Sequence, residues 1–133
     1  MMWKDKYAVG VELIDEQHKE LFRRVSDFTQ IIRSNENWND KLEKVKETMS
    51  FMQEYVIVHF HDEEIYQEQI NYPDIEAHKE AHSKFREGIN NYVRLFKEEG
   101  FTEEKVQEFG GKLMTWLIMH VGKMDQKIGE YAK

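Results

Sequence analysis

Four long segments of this sequence repeat apolar residues at alternating steps of three and four, and this pattern constrains the fold more than any other feature. Residues at this spacing lie on one face of an α-helix. The sequence has no strand-like alternation of useful length, and only short breaks separate the four segments. The four helix faces begin, in chain order, at His18, Leu42, Ile75 and Val106.

The breaks between the segments predict where the helices start. Asp15 and Thr102 are of the residue types that cap helix N-termini, and Pro73 fits the first turn of a helix. The connections at residues 34–39 and 98–102 are short, and short connections make successive helices antiparallel neighbours. A helix face with apolar residues at steps of three and four is called a stripe here. Such stripes form the contact surfaces, or seams, expected between nearly parallel helices.

The sequence therefore predicts an all-α protein, an up-down-up-down antiparallel four-helix bundle. One domain is expected to cover residues 1–133. The first dozen residues, including Trp3 and Tyr7, are expected to pack on the bundle as an N-terminal arm. The outer faces of the helices are well charged, and no apolar stripe is left over after the four seams are assigned.

Charge and composition exclude several classes of function. The net charge is −7 with no lysine or arginine cluster, which argues against nucleic-acid binding. No run of 18 apolar residues indicates a membrane span, and the N-terminus lacks the features of a signal peptide. The chain has no cysteine, which excludes disulfides and zinc–thiolate sites. We expect a soluble cytoplasmic protein.

Histidines lie on the apolar faces of all four predicted helices. A single histidine on such a face is more often a hydrogen-bonded core residue than a ligand. Five together with Glu63 would make a costly core, whereas a bound cation uses both the imidazole lone pairs and the carboxylate. The sequence thus predicts a metal site, formed by the five stripe histidines His18, His59, His78, His82 and His120.

Spacing along the helices supports one shared site. Residues four apart on a helix are neighbours, so His59 can meet Glu63, and His78 can meet His82. The segment HKEAH is not the zinc protease motif, because that motif needs glutamate directly after the first histidine. Asp125 lies five residues after His120. It is either a solvated residue beside the stripe or, if a local change of helical turn rotates it inward, a further ligand.

These residues in this order resemble the hemerythrins, particularly their single-domain bacterial form, over nearly the whole chain. The shared segments are IDEQHKEL, HFHDEE, YPDIEAHKEAH, WLIMHVGKMD and the N-terminal W-x-x-x-Y-x-V-G-V. The spacings H-x₃-E, H-x₃-H and H-x₄-D are specific in combination, although each alone is a weak signal.

The resemblance implies a non-haem di-iron centre, two iron ions with an oxo or hydroxo bridge. One iron is expected to bind three histidines, the other His18 and His59, and Glu63 and Asp125 are expected to bridge the pair. That count leaves one coordination position open, on the iron with two histidines, where hemerythrins bind O₂. The three-histidine set is His78, His82 and His120, and the expected apolar O₂ pocket is Phe60, Trp116 and Leu117.

The expected function is reversible O₂ binding without catalysis, for oxygen storage, delivery or scavenging. The alternatives are an O₂ or redox sensor acting through a separate protein partner, and a di-iron oxidase, peroxidase or nitric-oxide-handling enzyme. A zinc bundle is a further alternative, although seven donors exceed what one tetrahedral zinc uses. The chain departs from the family at Tyr66 and Gln67, where an aliphatic residue and a methionine are usual. Tyr66 is expected on the seam, as a packing residue or as a hydrogen-bond donor near the site.

Overall fold

The computed structural model describes residues 3–131 and confirms an all-α four-helix bundle. Met1, Met2, Ala132 and Lys133, which the predicted arm and domain include, lie outside the described residues. A π-helical segment and a short α5 continue the fourth helix of the bundle. The helices are α1 (Glu12–Arg33), α2 (Trp38–Gln69), α3 (Ile75–Glu99), α4 (Glu103–Trp116), the π segment (Leu117–Met124) and α5 (Gln126–Tyr131).

The predicted stripes form the core of the bundle. Helix α1 packs against its sequential neighbour α2 and against α4, and α2 packs against its sequential neighbour α3. Two of the side chains at the centre of the bundle are Phe28 and Phe109, whose rings meet edge to face at 5.8 Å between centroids. No helix among residues 3–131 is both long and apolar enough to cross a membrane.

The helix ends agree only in part with the predicted caps. The Thr102 side chain accepts a hydrogen bond from the Lys105 backbone, so Thr102 is confirmed as an N-cap. The prediction that Asp15 is an N-cap was wrong, because α1 begins at Glu12. Its carboxylate instead accepts from the backbone N–H groups of residues 9 and 10, before the helix. Pro73 also lies before its helix, since α3 begins at Ile75.

Residues 3–11, before α1, pack on the end of the bundle as an arm. The Tyr7 ring stacks on Phe22 of α1, with 5.2 Å between centroids. The Gln126 side chain of α5 donates to the Tyr7 backbone carbonyl at 2.6 Å. A Cβ at Gly129 would lie 2.8 Å from the Val9 carbonyl oxygen, so this close approach requires glycine. The arm therefore joins the start of α1 to α5.

Candidate metal centre

Seven chemically reactive side chains converge inside the bundle. They come from all four helices of the bundle and from the residue that follows the π segment. None has more than 4% of its surface exposed, although charged and imidazole side chains are rarely buried without partners. The seven are His18, His59, Glu63, His78, His82, His120 and Asp125.

Two helices each contribute a pair of these side chains at a spacing of four residues. His59 and Glu63 lie on α2, and their side chains approach to 3.4 Å. His78 and His82 lie on α3, with 6.0 Å between ring centroids. Each pair projects from one helix face, as the spacing predicted.

The π segment explains how Asp125 reaches the interior. The Asp125 backbone N–H donates to the His120 carbonyl at 2.8 Å, an i to i−5 bond that an α-helix does not make. This wider turn places His120 and Asp125 side by side, with His120 Nε2 3.2 Å from Asp125 Oδ1. The alternative of a solvated Asp125 is wrong, because the side chain is fully buried.

The Glu63 carboxylate lies between two groups of histidines. Its Oε2 atom is 3.1 Å from His18 Nε2 and 3.4 Å from His59 Nε2. Its Oε1 atom is 3.1 Å from His82 Nε2 and 3.7 Å from His78 Nδ1. One carboxylate oxygen thus faces a pair of histidines, and the other faces a second group.

Asp125 spans the same two groups from the opposite helix. Its Oδ2 atom is 3.2 Å from His18 Nε2, and its Oδ1 atom is 3.4 Å from His78 Nδ1 and 3.2 Å from His120 Nε2. The centre is therefore built of a two-histidine group and a three-histidine group, joined by two carboxylates that each contribute one oxygen to either side.

Hydrogen bonds behind the rings determine which nitrogen faces the centre. His59 Nδ1 lies 2.7 Å from Gln17 Oε1, and Gln17 Nε2 donates to Asp62 at 2.8 Å. The Asp62 carboxylate fixes the amide orientation, so Oε1 accepts the proton of His59 Nδ1. The lone pair of His59 Nε2 is then directed toward the centre.

Polar side chains also contact two rings of the three-histidine group. Glu64 lies behind the His82 ring, whereas Gln67 contacts His78 at Nδ1, the nitrogen that faces both carboxylates. His82 Nδ1 donates to Glu64 at 2.8 Å, which leaves the Nε2 lone pair of His82 facing the centre, 3.2 Å from His120 Nε2. The Gln67 amide nitrogen lies 3.0 Å from His78 Nδ1, and Gln67 is fully buried. The sequence interpretation missed Gln17, Glu64 and Gln67. The signal for Gln67 was its position four residues after Glu63.

Burial and the charges of the centre act against each other on the pKa values. Burial lowers the pKa of His59 to about 4, so this ring is neutral at pH 7. Burial acts to raise the pKa of Glu63, but hydrogen bonds from histidines outweigh it and hold that pKa well below the ordinary value. Burial also acts to lower the pKa of His18, but hydrogen bonds to Asp125 and Glu63 outweigh it and raise that pKa to about 9.

The nitrogen and oxygen atoms of the seven side chains are suited to binding cations. Among the described residues, His59 Nε2 and both Asp125 oxygens are buried without a hydrogen-bond partner of good geometry. Such atoms are costly unless an ion or water satisfies them. The donor atoms of His18, His59 and Glu63 lie within 4.8 Å of one another, as do those of the three-histidine group with Glu63. Imidazole and carboxylate suit iron and zinc.

Aromatic side chains cover the centre on one side. Phe60 stacks on His82 with 3.9 Å between centroids and lies 5.7 Å from the His59 ring, so it borders both groups. Trp116 stacks on His120 at 4.7 Å and therefore borders the three-histidine group. Leu117 is completely buried.

The Tyr66 position differs from the sequence interpretation. Tyr66 is only half-buried, whereas its neighbour Gln67 is fully buried and contacts His78. The seam after Glu63 thus continues by a step of four to Gln67, not by a step of three to Tyr66. The buried departure from the family pattern is the amide of Gln67.

Comparisons with known proteins agree with this architecture. The chain is similar to the bacteriohemerythrin of Clostridium acetobutylicum, at 28% identity over 95% of this chain and 96% of the relative. The Stenotrophomonas maltophilia bacteriohemerythrin is 27% identical over 100% of this chain and 82% of the relative. The myohemerythrin of Theromyzon tessulatum is 29% identical over 94% of this chain and 88% of the relative.

A match to a family model assigns the chain to a family, which sequence identities below 30% do not do by themselves. The model of the hemerythrin HHE cation binding domain matches residues 9–132, nearly the whole chain. The match contains all seven buried side chains of the centre. The chain belongs to the hemerythrin family.

Proposed function

We propose that this protein binds O₂ reversibly at two iron ions held by the seven side chains of the centre. The observation that carries the proposal is the arrangement of Glu63 and Asp125, each of which directs one oxygen to either histidine group. A single cation does not need two such carboxylates, whereas a pair of cations does. The relatives named bacteriohemerythrin and myohemerythrin support the same conclusion.

The residues divide unequally between the two ions. His78, His82 and His120 would hold one ion, and His18 and His59 would hold the other. The second ion would have one histidine fewer, so the position for a further ligand would lie on that side. A ferrous pair bound there would supply the two electrons and the open position that reversible O₂ binding uses. Binding at this position makes the protein a ligand-binding protein and not a catalyst.

Burial restricts the ligand to a very small molecule. His18 and His59 are both completely buried, so no organic substrate reaches their side of the centre without displacing the core. Phe60, whose ring lies 5.7 Å from that of His59, is also buried and excludes water from the same region, and Leu117 is completely buried. Trp116 extends this apolar wall to the three-histidine group. A dry enclosure favours release of O₂ over its irreversible reaction.

The donor set also favours oxygen binding over oxidation chemistry. Di-iron oxidases of the ferritin-like type use mainly carboxylates with Glu-x-x-His motifs, and this chain has no such motif. Five neutral imidazoles and two carboxylates give less negative charge to stabilise highly oxidised iron. Seven donors also exceed the four that a tetrahedral zinc ion needs.

Repeated oxygenation tests the proposal. The protein is loaded with Fe²⁺ under anaerobic conditions, exposed to O₂ and then flushed with argon while the visible spectrum is recorded. We expect a new absorption band that appears with O₂ and disappears on flushing through several cycles. Direct conversion to an oxidised spectrum that flushing does not reverse would contradict reversible binding.

A further inference from the structure

An open apolar groove separates α3 from α4 on the surface of the bundle. Its volume is about 450 Å³, which lies within the range of small-molecule sites in proteins. The groove was not expected from the sequence, because no apolar helix face remained after the four seams had been assigned. The groove is lined mainly by aromatic and aliphatic side chains, including Phe85, Ile89, Tyr92, Phe109, Leu113 and Trp116.

Aromatic contacts and one glycine keep the groove open. Phe85 stacks on Trp116 at 3.9 Å, and Tyr92 meets Phe109 at 5.1 Å, so wide rings separate the two helices. Gly88 lies within α3 and lines the groove, and a Cβ there would meet nothing within 4 Å. Glycine is unfavourable inside a helix compared with alanine, and here its small size widens the groove.

The charged residues of the groove are all cations. Among residues 3–131, Lys84 and Lys112 line it and no carboxylate does, in a chain whose net charge is −7. Each lysine has an acidic neighbour on its own helix, Glu80 at 3.2 Å and Glu108 at 3.9 Å. These exposed pairs are weak and do not prevent either lysine from meeting an anion. The groove thus combines an apolar interior with two lysines at its border, each beside a glutamate outside the groove.

We propose that this groove binds a free amphipathic carboxylate of medium length, such as a medium-chain fatty acid. The apolar body lies along the aromatic floor, and the carboxylate meets Lys84 or Lys112. The two ammonium groups lie toward opposite ends of the groove, one beside Glu80 and the other beside Tyr92. A partner helix fits less well. One helical turn is about 10 Å wide and 5.4 Å long, so the groove holds roughly a single turn.

The proposed site touches the metal centre without depending on it. His120 forms part of the groove wall, and Trp116 stacks on His120 while lining the groove. An occupant therefore contacts one ring of the three-histidine group from outside. The tryptophan also reports binding directly, because its fluorescence responds to a molecule placed against the ring.

Calorimetric titration with decanoate, below the concentration at which it aggregates, tests the proposal. We expect saturable binding of one decanoate per chain, with a change in tryptophan fluorescence over the same concentrations. Gly88→Leu places a side chain in the groove and is expected to weaken binding at least tenfold. The matched control is Gly111→Leu on α4, which is exposed and equally free of neighbours, and which should bind as the unchanged protein does.

Further variants separate the charge from the apolar contacts. Lys84→Gln with Lys112→Gln is expected to weaken decanoate binding several-fold and to leave the binding of decanol unchanged. Lack of saturable binding, or equal binding by Gly88→Leu and Gly111→Leu, would overturn the proposal. So would a dimer of the unchanged protein that Gly88→Leu dissociates and decanoate does not, because the groove would then hold a second copy of the chain. None of these measurements uses O₂, so their outcome is independent of the proposed oxygen binding.

Discussion

Replacing Gln17 tests whether hydrogen bonds behind the histidines prepare the centre for metal. The Gln17 amide accepts the Nδ1 proton of His59 at 2.7 Å and donates to Asp62 at 2.8 Å. In Gln17→Leu, the volume is nearly kept, but His59 Nδ1 loses its acceptor inside the protein. The ring can then turn or take the other tautomer, and its Nε2 lone pair no longer faces Glu63 in every molecule.

The expected loss follows from the buried position of this contact. Removing a hydrogen-bond partner of a metal-binding histidine typically lowers metal affinity about 10–100-fold. This corresponds to about 1.4–2.8 kcal/mol, at about 1.4 kcal/mol for each factor of ten. Gln17 and His59 are both buried, so water replaces the lost acceptor poorly and the upper half of this range is expected.

Competition with a coloured Fe²⁺ chelator under anaerobic conditions measures this affinity. Gln30→Leu is the matched control, because Gln30 lies on the same helix with an exposed side chain. It should bind iron as the unchanged protein does. Equal iron affinity in Gln17→Leu and Gln30→Leu would refute the reasoning and assign Gln17 to packing alone.

Four other substitutions test separate parts of the account. Glu63→Ala removes the oxygens that face both histidine groups, so iron content should fall together with the thermal midpoint, since metal binding is linked to folding; full loading, measured by iron analysis, would count against the site. Gly111→Ala should stabilise the protein by about 0.5–1 kcal/mol. In Gly110→Ala the new Cβ would lie 3.0 Å from a core isoleucine, so this variant should be about 1–3 kcal/mol less stable than Gly111→Ala in urea unfolding. Tyr66→Phe should leave the autoxidation rate unchanged, because Gln67 and not Tyr66 contacts the histidines; a changed rate would return Tyr66 to the site.

The bundle was predictable because each helix carries its own periodic face. The stripe residues Val25, Val56 and Val106, for example, are almost completely buried, and the connections between helices are short. The helix starts were less predictable. An aspartate can accept hydrogen bonds from backbone N–H groups either as the N-cap or from within the first turn of the helix. Asp15 lies within the first turn of α1 and accepts from Val9 and Gly10, which precede the helix.

The centre was only partly predictable from spacing. The regular period of an α-helix brings His59 to Glu63 and His78 to His82, but it cannot place Asp125, which needs the i to i−5 bond of the π segment. Gln17 and Glu64 were missed because they flank the stripes and resemble solvated side chains in the sequence. Gln67 was missed because Tyr66 was assigned to its place on the seam.

The groove was not predictable for a different reason. A periodic face shows which residues turn inward, but not how closely two helices approach one another. The width between α3 and α4 depends on ring contacts such as Phe85 with Trp116, which only the three-dimensional structure shows. A glycine such as Gly88 gives no sign in the sequence that it borders open space.

The most direct test of the central claim is a crystal structure of the Fe²⁺-loaded protein, with anomalous diffraction recorded on both sides of the iron absorption edge. The account predicts two iron peaks about 3.5–4 Å apart. One should lie beside His18 and His59, the other beside His78, His82 and His120, with Glu63 between them. A single peak, or two peaks that Glu63 does not bridge, would contradict a di-iron centre in this protein.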